Sequence, residues 1–237
     1  MSDSVNFASA LRAALAAKAD PVRAAPMAAY MKQRFVFFGI PTSARRAAVK
    51  PLIATLGKAP EADWLLGVAE ALWEFDEREC QYVAVDLLVK FAGRLEARHE
   101  PQLVALVRAK AWWDSVDLLA AHVYGTLCRK APELRLRLDG YATHEDLWLR
   151  RVAILSQLNY AAETDRARLA AALTANLGQS DFFIRKAMGW ALRQFARTDP
   201  DWVCAWLDAH AGQVSGLTRR EALKRIQGDQ PESEPPA

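Results

Sequence analysis

One period runs through most of this 237-residue chain. A segment with an aromatic residue, a base three positions later and an Ala-containing apolar run begins at Trp148 and returns at Phe183, with a weaker copy further on. The aligned bases Arg151, Lys186 and Arg220 are 35 and 34 residues apart. Because such a period in a helical chain is typical of stacked helical pairs, the sequence predicts an α-solenoid of HEAT-like repeats with a concave basic face.

The residue types between these segments favour helices. Ala, Leu, Arg and Glu dominate, and apolar residues recur at three- and four-residue steps, as in Leu65-Val68-Ala69-Leu72. The predicted fold class is therefore all-α, and a single helical bundle remains as the alternative. Helix boundaries are predicted at the Pro and Gly residues that fall at intervals: Pro41, Pro60, Pro101, Pro132, Gly178, Pro200 and Gly212 to Gly216.

The net charge divides unevenly along the chain. There are 31 bases and 28 acids, but the last ten residues carry Asp229, Glu232 and Glu234 and no base. Without them 31 bases face 25 acids, which gives the remaining chain a net charge of +6. The sequence predicts one domain over residues 1–227 and a disordered acidic tail over residues 228–237.

Several classes of protein do not fit this sequence. The longest run without a charged residue, Leu169 to Ser180, is too short to span a bilayer, and the N-terminal segment does not read as a secretory signal. Cys80, Cys128 and Cys204 show no metal-ligand spacing with the histidines, which predicts free thiols in a reducing cytosol and no metal. Phosphate-binding loops, serine-nucleophile elbows and zinc motifs are absent from the sequence.

The repeat places charged residues in one register. Asp117, Arg151, Lys186 and Arg220 occupy equivalent positions, and a basic track on a concave face suits a polyanion. Trp113 is four residues before Asp117, so an indole and a carboxylate share a helix face and form a site suited to a cation. Tandem tryptophans also serve as core packing, and an aspartate at a repeat position also pairs with a neighbouring base.

Six longer motifs follow one another along the chain. They are Pro26-Met-Ala-Ala-Tyr30-Met-Lys, Phe38-Gly-Ile-Pro41-Thr, Trp73-x5-Glu79, Trp112-Trp113-Asp114-Ser-Val-Asp117, Trp148-Leu-Arg-Arg151-x-Ala153-Ile-Leu, and Phe182-Phe-Ile-Arg-Lys186-Ala-x-Gly-Trp190-x-Leu-Arg193. With these motifs the chain resembles, over about residues 20 to 227, the DNA alkylation repair family of HEAT-like-repeat DNA glycosylases of the AlkD type.

The resemblance implies a catalytic cluster of Trp113, Asp117, Arg151 and Trp190. The implied reaction is excision of N3- and N7-alkylated purines, such as 3-methyladenine and 7-methylguanine, without a base-flipping pocket. Asp117 is expected to stabilise an oxocarbenium-like sugar and to position water. The tryptophans are expected to pack the deoxyribose, and Arg151 to bind a flanking phosphate and orient Asp117.

The implied partner is double-stranded DNA that contains alkylated purines, bound by a cytosolic monomer without cofactor, metal or membrane. Pro41 and Ser43 depart from residues common in the family, which affects the expected loop contacts with DNA. Two alternatives stay open: a non-catalytic module that binds DNA structures, and a protein-interaction scaffold. The residues expected to bind DNA are Tyr30, Trp112, Arg45, Lys186, Arg193 and Arg220.

Overall fold

The computed structural model describes residues 3–226, so the predicted acidic tail lies outside the described residues. All regular structure in this range is helical, apart from one isolated parallel bridge between Val36 and Glu77. The all-α prediction is confirmed.

The described residues divide into two compact units, the first ending at residue 119 and the second beginning at residue 120. The prediction of a single domain over residues 1–227 stays a prediction. Short 3-10 turns, Ala92–Arg94 and Ala97–His99, lie within the first unit. The helices of the first unit are α1 (Asp3–Ala16), α2 (Pro21–Tyr30), α3 (Thr42–Ala54), α4 (Ala62–Glu74), α5 (Arg78–Lys90), α6 (Glu100–Arg108) and α7 (Trp113–Leu118).

A π-helical segment, Leu119–Tyr124, follows α7 and leads along the chain into the second unit. That unit also contains a 3-10 turn, Ala161–Glu163. Its α-helices are α8 (Gly125–Lys130), α9 (Leu134–Tyr141), α10 (Leu147–Leu155), α11 (Arg166–Thr174), α12 (Phe182–Phe195), α13 (Pro200–Ala209) and α14 (Gly216–Leu223).

Side-chain caps begin most helices of the second unit. Asp146, Asp165, Asp181, Asp199 and Ser215 precede α10 to α14, and each accepts a hydrogen bond from a backbone N–H two or three residues later. Such a cap satisfies a backbone donor that the helix leaves unpaired and is worth about 1 kcal/mol. An aspartate therefore marks the start of α10, α11, α12 and α13, and a serine marks the start of α14.

The predicted boundaries agree with the helices. Pro41 occupies the N-cap of α3, Pro101 lies in the first turn of α6, and Pro200 begins α13. Proline fits these places because the first turn of a helix needs no donor from it. Pro26 and Pro51 instead lie inside α2 and α3, where the sequence analysis placed no boundary.

The repeat appears in the structure as a common register. Asp117, Arg151, Lys186 and Arg220 are each the fifth residue of their helices, α7, α10, α12 and α14. The prediction of a helical-repeat fold is confirmed at this level.

Long-range hydrogen bonds have the same period. Trp73 Nε1 donates to the carbonyl of Ala109, 36 residues later, at 2.8 Å. In the second unit the Tyr160 hydroxyl donates to the carbonyl of Gly125, 35 residues earlier, at 2.7 Å. Equivalent elements of consecutive repeats thus bind one another within each unit.

A glycine allows α12 and α14 to pack closely against each other. A Cβ atom on Gly189 of α12 would lie 2.4 Å from the Cβ of Glu221 and 2.9 Å from the carbonyl oxygen of Thr218, both on α14. Neither neighbour is a flexible side-chain end, so a methyl group there would force the two helices apart.

We expect Gly189→Ala to lower the free energy of unfolding by about 1–3 kcal/mol, because overpacking outweighs the better helix propensity of alanine. The matched control is Gly140→Ala in α9, where an added Cβ meets nothing within 4 Å. This control should gain up to about 1 kcal/mol. Urea denaturation measures both variants, and equal stabilities would show that the α12–α14 contact tolerates a side chain.

Candidate functional site

The backbone before α7 sets the direction of the helix. Lys110 has a left-handed conformation with φ of 49°, and Trp112 is extended with φ of −160° at the N-cap. Trp113 is then the first residue of α7, and Asp117 lies one turn later with 8% of its surface exposed. The Trp113–Asp117 pair therefore depends on whatever holds this helix start.

A fully buried guanidinium holds it. Arg78, the first residue of α5, donates from Nε and Nη2 to the two carboxylate oxygens of Asp114, at 3.1 and 2.5 Å. Its Nη2 also donates to the Ser115 hydroxyl, and its Nη1 to the carbonyl of Lys110, both at 2.9 Å. A bidentate pair of this kind fixes both distance and orientation.

Aromatic side chains complete the surroundings of this ion pair. The Tyr82 hydroxyl donates to Asp114 Oδ2 at 2.6 Å, and the ring of Phe35 lies 3.9 Å from the guanidinium carbon of Arg78. Burial and the nearby Asp114 charge raise the pKa of Tyr82 far above its usual value. The phenol therefore stays protonated and donates its hydrogen bond throughout the neutral range.

The loop before α7 also binds the end of α4. Lys110 Nζ donates to the carbonyls of Phe75 and Glu74, at 2.6 and 3.3 Å. Cations are favoured at this end of a helix, where carbonyls lack intrahelical partners. Together with the Trp73–Ala109 hydrogen bond, these contacts hold the residues that lead into Trp112.

Two sequence motifs turn out to bind each other. The buried carboxylate of Glu79 accepts hydrogen bonds from the N–H groups of Phe38, Gly39 and Ile40, at 3.0, 2.9 and 3.0 Å. Gly39 has φ of 88°, and a Cβ there would lie 2.1 Å from the carbonyl oxygen of Asp20. Glycine and glutamate are therefore required together to fix the segment between α2 and α3.

The structure brings two of the predicted aromatic residues together. Tyr30, 71% exposed at the end of α2, meets the ring of Trp113 edge-on, with centroids 6.2 Å apart. This arrangement suits the aromatic quadrupoles. Beside Tyr30 lies an open, mostly apolar notch of about 260 Å³, formed by Pro26, Met27, Tyr30, Met31, Phe37 and Tyr82.

The other two predicted DNA contacts of the first unit have local partners. Arg45 is buried, pairs with Asp86 at 2.9 Å and lies over the ring of Tyr82. This geometry favours a structural role for Arg45. The ring of Trp112 is covered by the guanidinium of Arg34, 4.5 Å from its centroid.

The second unit holds the remaining predicted residues. Arg151 of α10 is buried, and its Nη1 donates to the carbonyl of Phe183 at the start of α12. Trp190 is half-buried further along α12, and Arg220 is exposed on α14. The four residues of the predicted catalytic cluster are divided between the two units. Trp113 and Asp117 belong to the first unit, and Arg151 and Trp190 belong to the second.

A buried acid forms ion pairs with two bases of α12 and with one base that follows α14. The carboxylate of Glu221 lies 2.7 Å from Lys186 Nζ, 2.9 Å from Lys224 Nζ and 3.5 Å from Arg193 Nη1. Burial raises the pKa of Glu221, but the hydrogen bonds from Lys186 and Lys224 outweigh burial and hold it below its usual value of 4.5. One acid therefore fixes two of the predicted phosphate contacts.

Sequence reasoning did not assign a role to Arg78, Tyr82 or Glu221. Arg78 and Glu221 had the strongest available signals, because each lies next to a residue that the motifs or the repeat singled out, Glu79 and Arg220. Where two charged residues are adjacent, the sequence alone does not show which side chain is buried. That depends on the helix face that meets its neighbour.

Glu221→Gln should lower the free energy of unfolding at pH 7 by about 2 kcal/mol, because it removes charged hydrogen bonds from a buried position. The carboxylate has the lower pKa in the folded state, so its stabilisation is present above pH 4.5 and disappears as the pH falls through the folded-state pKa. The wild-type advantage should therefore shrink between pH 5 and pH 3, as measured by urea denaturation at each pH.

The control for this variant is Glu163→Gln, which removes an exposed carboxylate that pairs with Arg129. Exposed pairs contribute about 0–1 kcal/mol. An advantage of wild type over Glu221→Gln that does not change with pH would contradict the charged role of Glu221.

Residues 3–226 contain no group of three or more His, Cys, Asp or Glu side chains that could hold a metal ion. Within the same range, none of the helices has the length and apolar character needed to cross a membrane.

Comparisons with known proteins agree on one family. The family model described as DNA alkylation repair enzyme matches residues 11–226. A solved structure of a predicted DNA alkylation repair enzyme from Enterococcus faecalis is 35% identical and superposes with a TM-score of 0.80, covering 88% of this chain and 96% of that one. No curated protein matches the chain. The chain therefore belongs to the DNA alkylation repair enzyme family.

Proposed function

We propose that this protein is a DNA glycosylase that removes positively charged N3- and N7-alkylated purines, such as 3-methyladenine and 7-methylguanine. The observation that carries the proposal is the mostly buried carboxylate of Asp117, one turn after Trp113 on a helix whose start is fixed by Arg78. Membership of a repair-enzyme family supports the same conclusion.

The chemistry follows from the charge of the lesion. An alkylated purine of this kind is cationic, so it leaves with the electrons of the glycosidic bond and becomes neutral. Positive charge then develops on the deoxyribose, which becomes oxocarbenium-like. A fixed carboxylate stabilises that charge more in the transition state than in the ground state, and we assign this role to Asp117.

Water completes the reaction. It attacks C1′ of the sugar and loses a proton, which leaves an abasic site and a free base. We assign to Asp117 the second duty of positioning this water and accepting its proton.

We assign binding of the DNA to aromatic and basic side chains of each unit. In the first unit we assign to Trp113 the packing against deoxyribose, with its indole face offered to the positive charge, and in the second unit we assign the same duty to Trp190. Tyr30 contacts Trp113 and is open to solvent, so it contacts the nucleotide from the same side. The bases hold phosphates, and we assign this duty to Arg151, Lys186, Arg193 and Arg220.

We further propose that the protein acts as a cytosolic monomer and that selectivity comes from the lesion rather than from an enclosing pocket. A cationic base leaves readily, so the enzyme needs little contact with the base itself. The notch beside Tyr30 supports this reading because it is open and mostly apolar, and it presents few hydrogen-bond partners to a purine edge.

Asp117→Asn should reduce the rate of release of 3-methyladenine and 7-methylguanine from methylated DNA at least about tenfold. This corresponds to a loss of roughly 1.4 kcal/mol of transition-state stabilisation. Binding to undamaged duplex should be retained, because the substitution is nearly isosteric. The control is Asp208→Asn, which makes the same change at an exposed position of α13 and should leave release unchanged.

Each contrary outcome of this assay has a separate meaning. Equal release by wild type and Asp117→Asn would remove Asp117 from the mechanism. DNA binding without any release by wild type would favour the non-catalytic DNA-binding module. Absence of both binding and release would favour the protein-interaction scaffold.

The selectivity hypothesis makes its own prediction. The enzyme should release little base from duplexes that contain 1,N6-ethenoadenine, a neutral adduct whose glycosidic bond is not weakened by positive charge. The measurement is single-turnover release of ethenoadenine beside 7-methylguanine under the same conditions. Comparable rates for the two would show that the enzyme supplies recognition or protonation of the base itself.

A further inference from the structure

The turn after α2 has an unusual combination of conformation and charge. Lys32 and Gln33 both have φ of 56°, in the left-handed region that favours glycine, and both are exposed. Their N–H groups donate to the carbonyls of Ala29 and Ala28 and so close the end of α2. Glycine usually occupies this place at a helix end. Here a lysine side chain is presented to solvent instead.

The next residue presents a second base. The exposed guanidinium of Arg34 lies over the ring of Trp112, 4.5 Å from its centroid. Among residues 3–226 Arg34 has no carboxylate partner, whereas Arg45 and Arg78 are both paired with acids. Stacking fixes the plane of a guanidinium and leaves its N–H edges available for two oxygens of one anion, such as a phosphate.

The turn is held at both ends. After Arg34, the Phe35 ring covers the guanidinium of Arg78, and the carbonyl of Val36 accepts the N–H of Arg78 at 2.8 Å. Before it, Tyr30 contacts Trp113. The two cations are therefore presented from a fixed backbone beside the Trp112–Trp113 pair.

We propose that Lys32 and Arg34 bind a backbone phosphate of the DNA, with Arg34 donating hydrogen bonds to the phosphate oxygens and Lys32 adding its charge. The proposal rests on the proposed function, because the phosphate belongs to the DNA whose lesion Trp113 and Asp117 contact. It adds a sequence-independent contact in the first unit, where Arg45 is buried and paired.

Phosphate fits this turn better than a base edge does. The guanidinium has one face on an indole, its N–H groups point outwards from its edge, and a bidentate edge contact matches two phosphate oxygens. A second cation two residues away increases attraction to a phosphate without adding readout of a base.

The test measures affinity for an unmodified DNA duplex against salt concentration. Arg34→Ala should bind about tenfold more weakly at 0.1 M salt, and the slope of log K against log salt should be less steep by about 0.9 for one lost phosphate. Lys32→Gln should also make the slope less steep. Arg34→Lys should retain the wild-type slope, with an affinity between those of wild type and Arg34→Ala.

The control is Arg94→Ala, which removes one exposed positive charge in the same unit. Arg78, which contacts the residues after Arg34, begins α5, whereas Arg94 follows the other end of this helix. The 13 residues of α5 span about 18 Å, so Arg94 is far from the proposed contact. This variant should keep the slope of wild type. An equal change in Arg94→Ala and Arg34→Ala would show an effect of net charge alone and would contradict the contact.

Thermal unfolding of each variant separates binding from folding. If Arg34→Ala loses stability but keeps the salt slope, Arg34 only covers Trp112, and the proposed contact is wrong while the proposed function stands. If wild type releases methylated purines and Arg34→Ala binds normally, the contact alone is again wrong. If wild type binds no DNA, the proposed function fails, and the contact fails with it.

Discussion

The start of α7, and with it the candidate site of the first unit, depends on a buried charge, the guanidinium of Arg78. A buried charge is strongly unfavourable unless it is paired, and removal of one partner from such a pair typically costs about 3–5 kcal/mol. Here Asp114, Ser115 and the Lys110 carbonyl accept its hydrogen bonds, and Phe35 covers one face. The cost of burying this charge therefore enforces one arrangement of α5 against α7. The positions of Trp113 and Asp117 are fixed in the same way, because both residues belong to α7.

The second unit contains the reverse arrangement around α12 and α14. There a buried acid, Glu221, is surrounded by bases that are partly exposed. Three cations around one carboxylate leave an excess of positive charge at the surface of α12 and α14. The acid thus orders Lys186 and Arg193 without neutralising the cluster, and this ordering lowers the conformational entropy that a long base loses when it binds a phosphate.

The sequence predicted the register of the fold better than the surroundings of individual residues. Asp117, Arg151 and Lys186 could be aligned because every repeat presents the same packing requirement to the same helix position. The burial of Arg45 could not be predicted in this way, because it depends on Asp86, 41 residues later in another helix. Its sequence neighbours give no sign of that pairing.

The proposed catalysis by a fixed carboxylate requires that the helix carrying it be held firmly, and the hydrogen bonds of Arg78 and Tyr82 hold the start of α7. A carboxylate stabilises an oxocarbenium-like sugar only if it already points at the developing charge, since reorientation during the reaction would consume the gain. The proposed activity therefore requires Arg78 and Asp114 as much as it requires Asp117. The four predicted catalytic residue types are therefore not sufficient by themselves for the proposed activity. A chain that keeps them but replaces the buried pair has lost the support that gives Asp117 its direction.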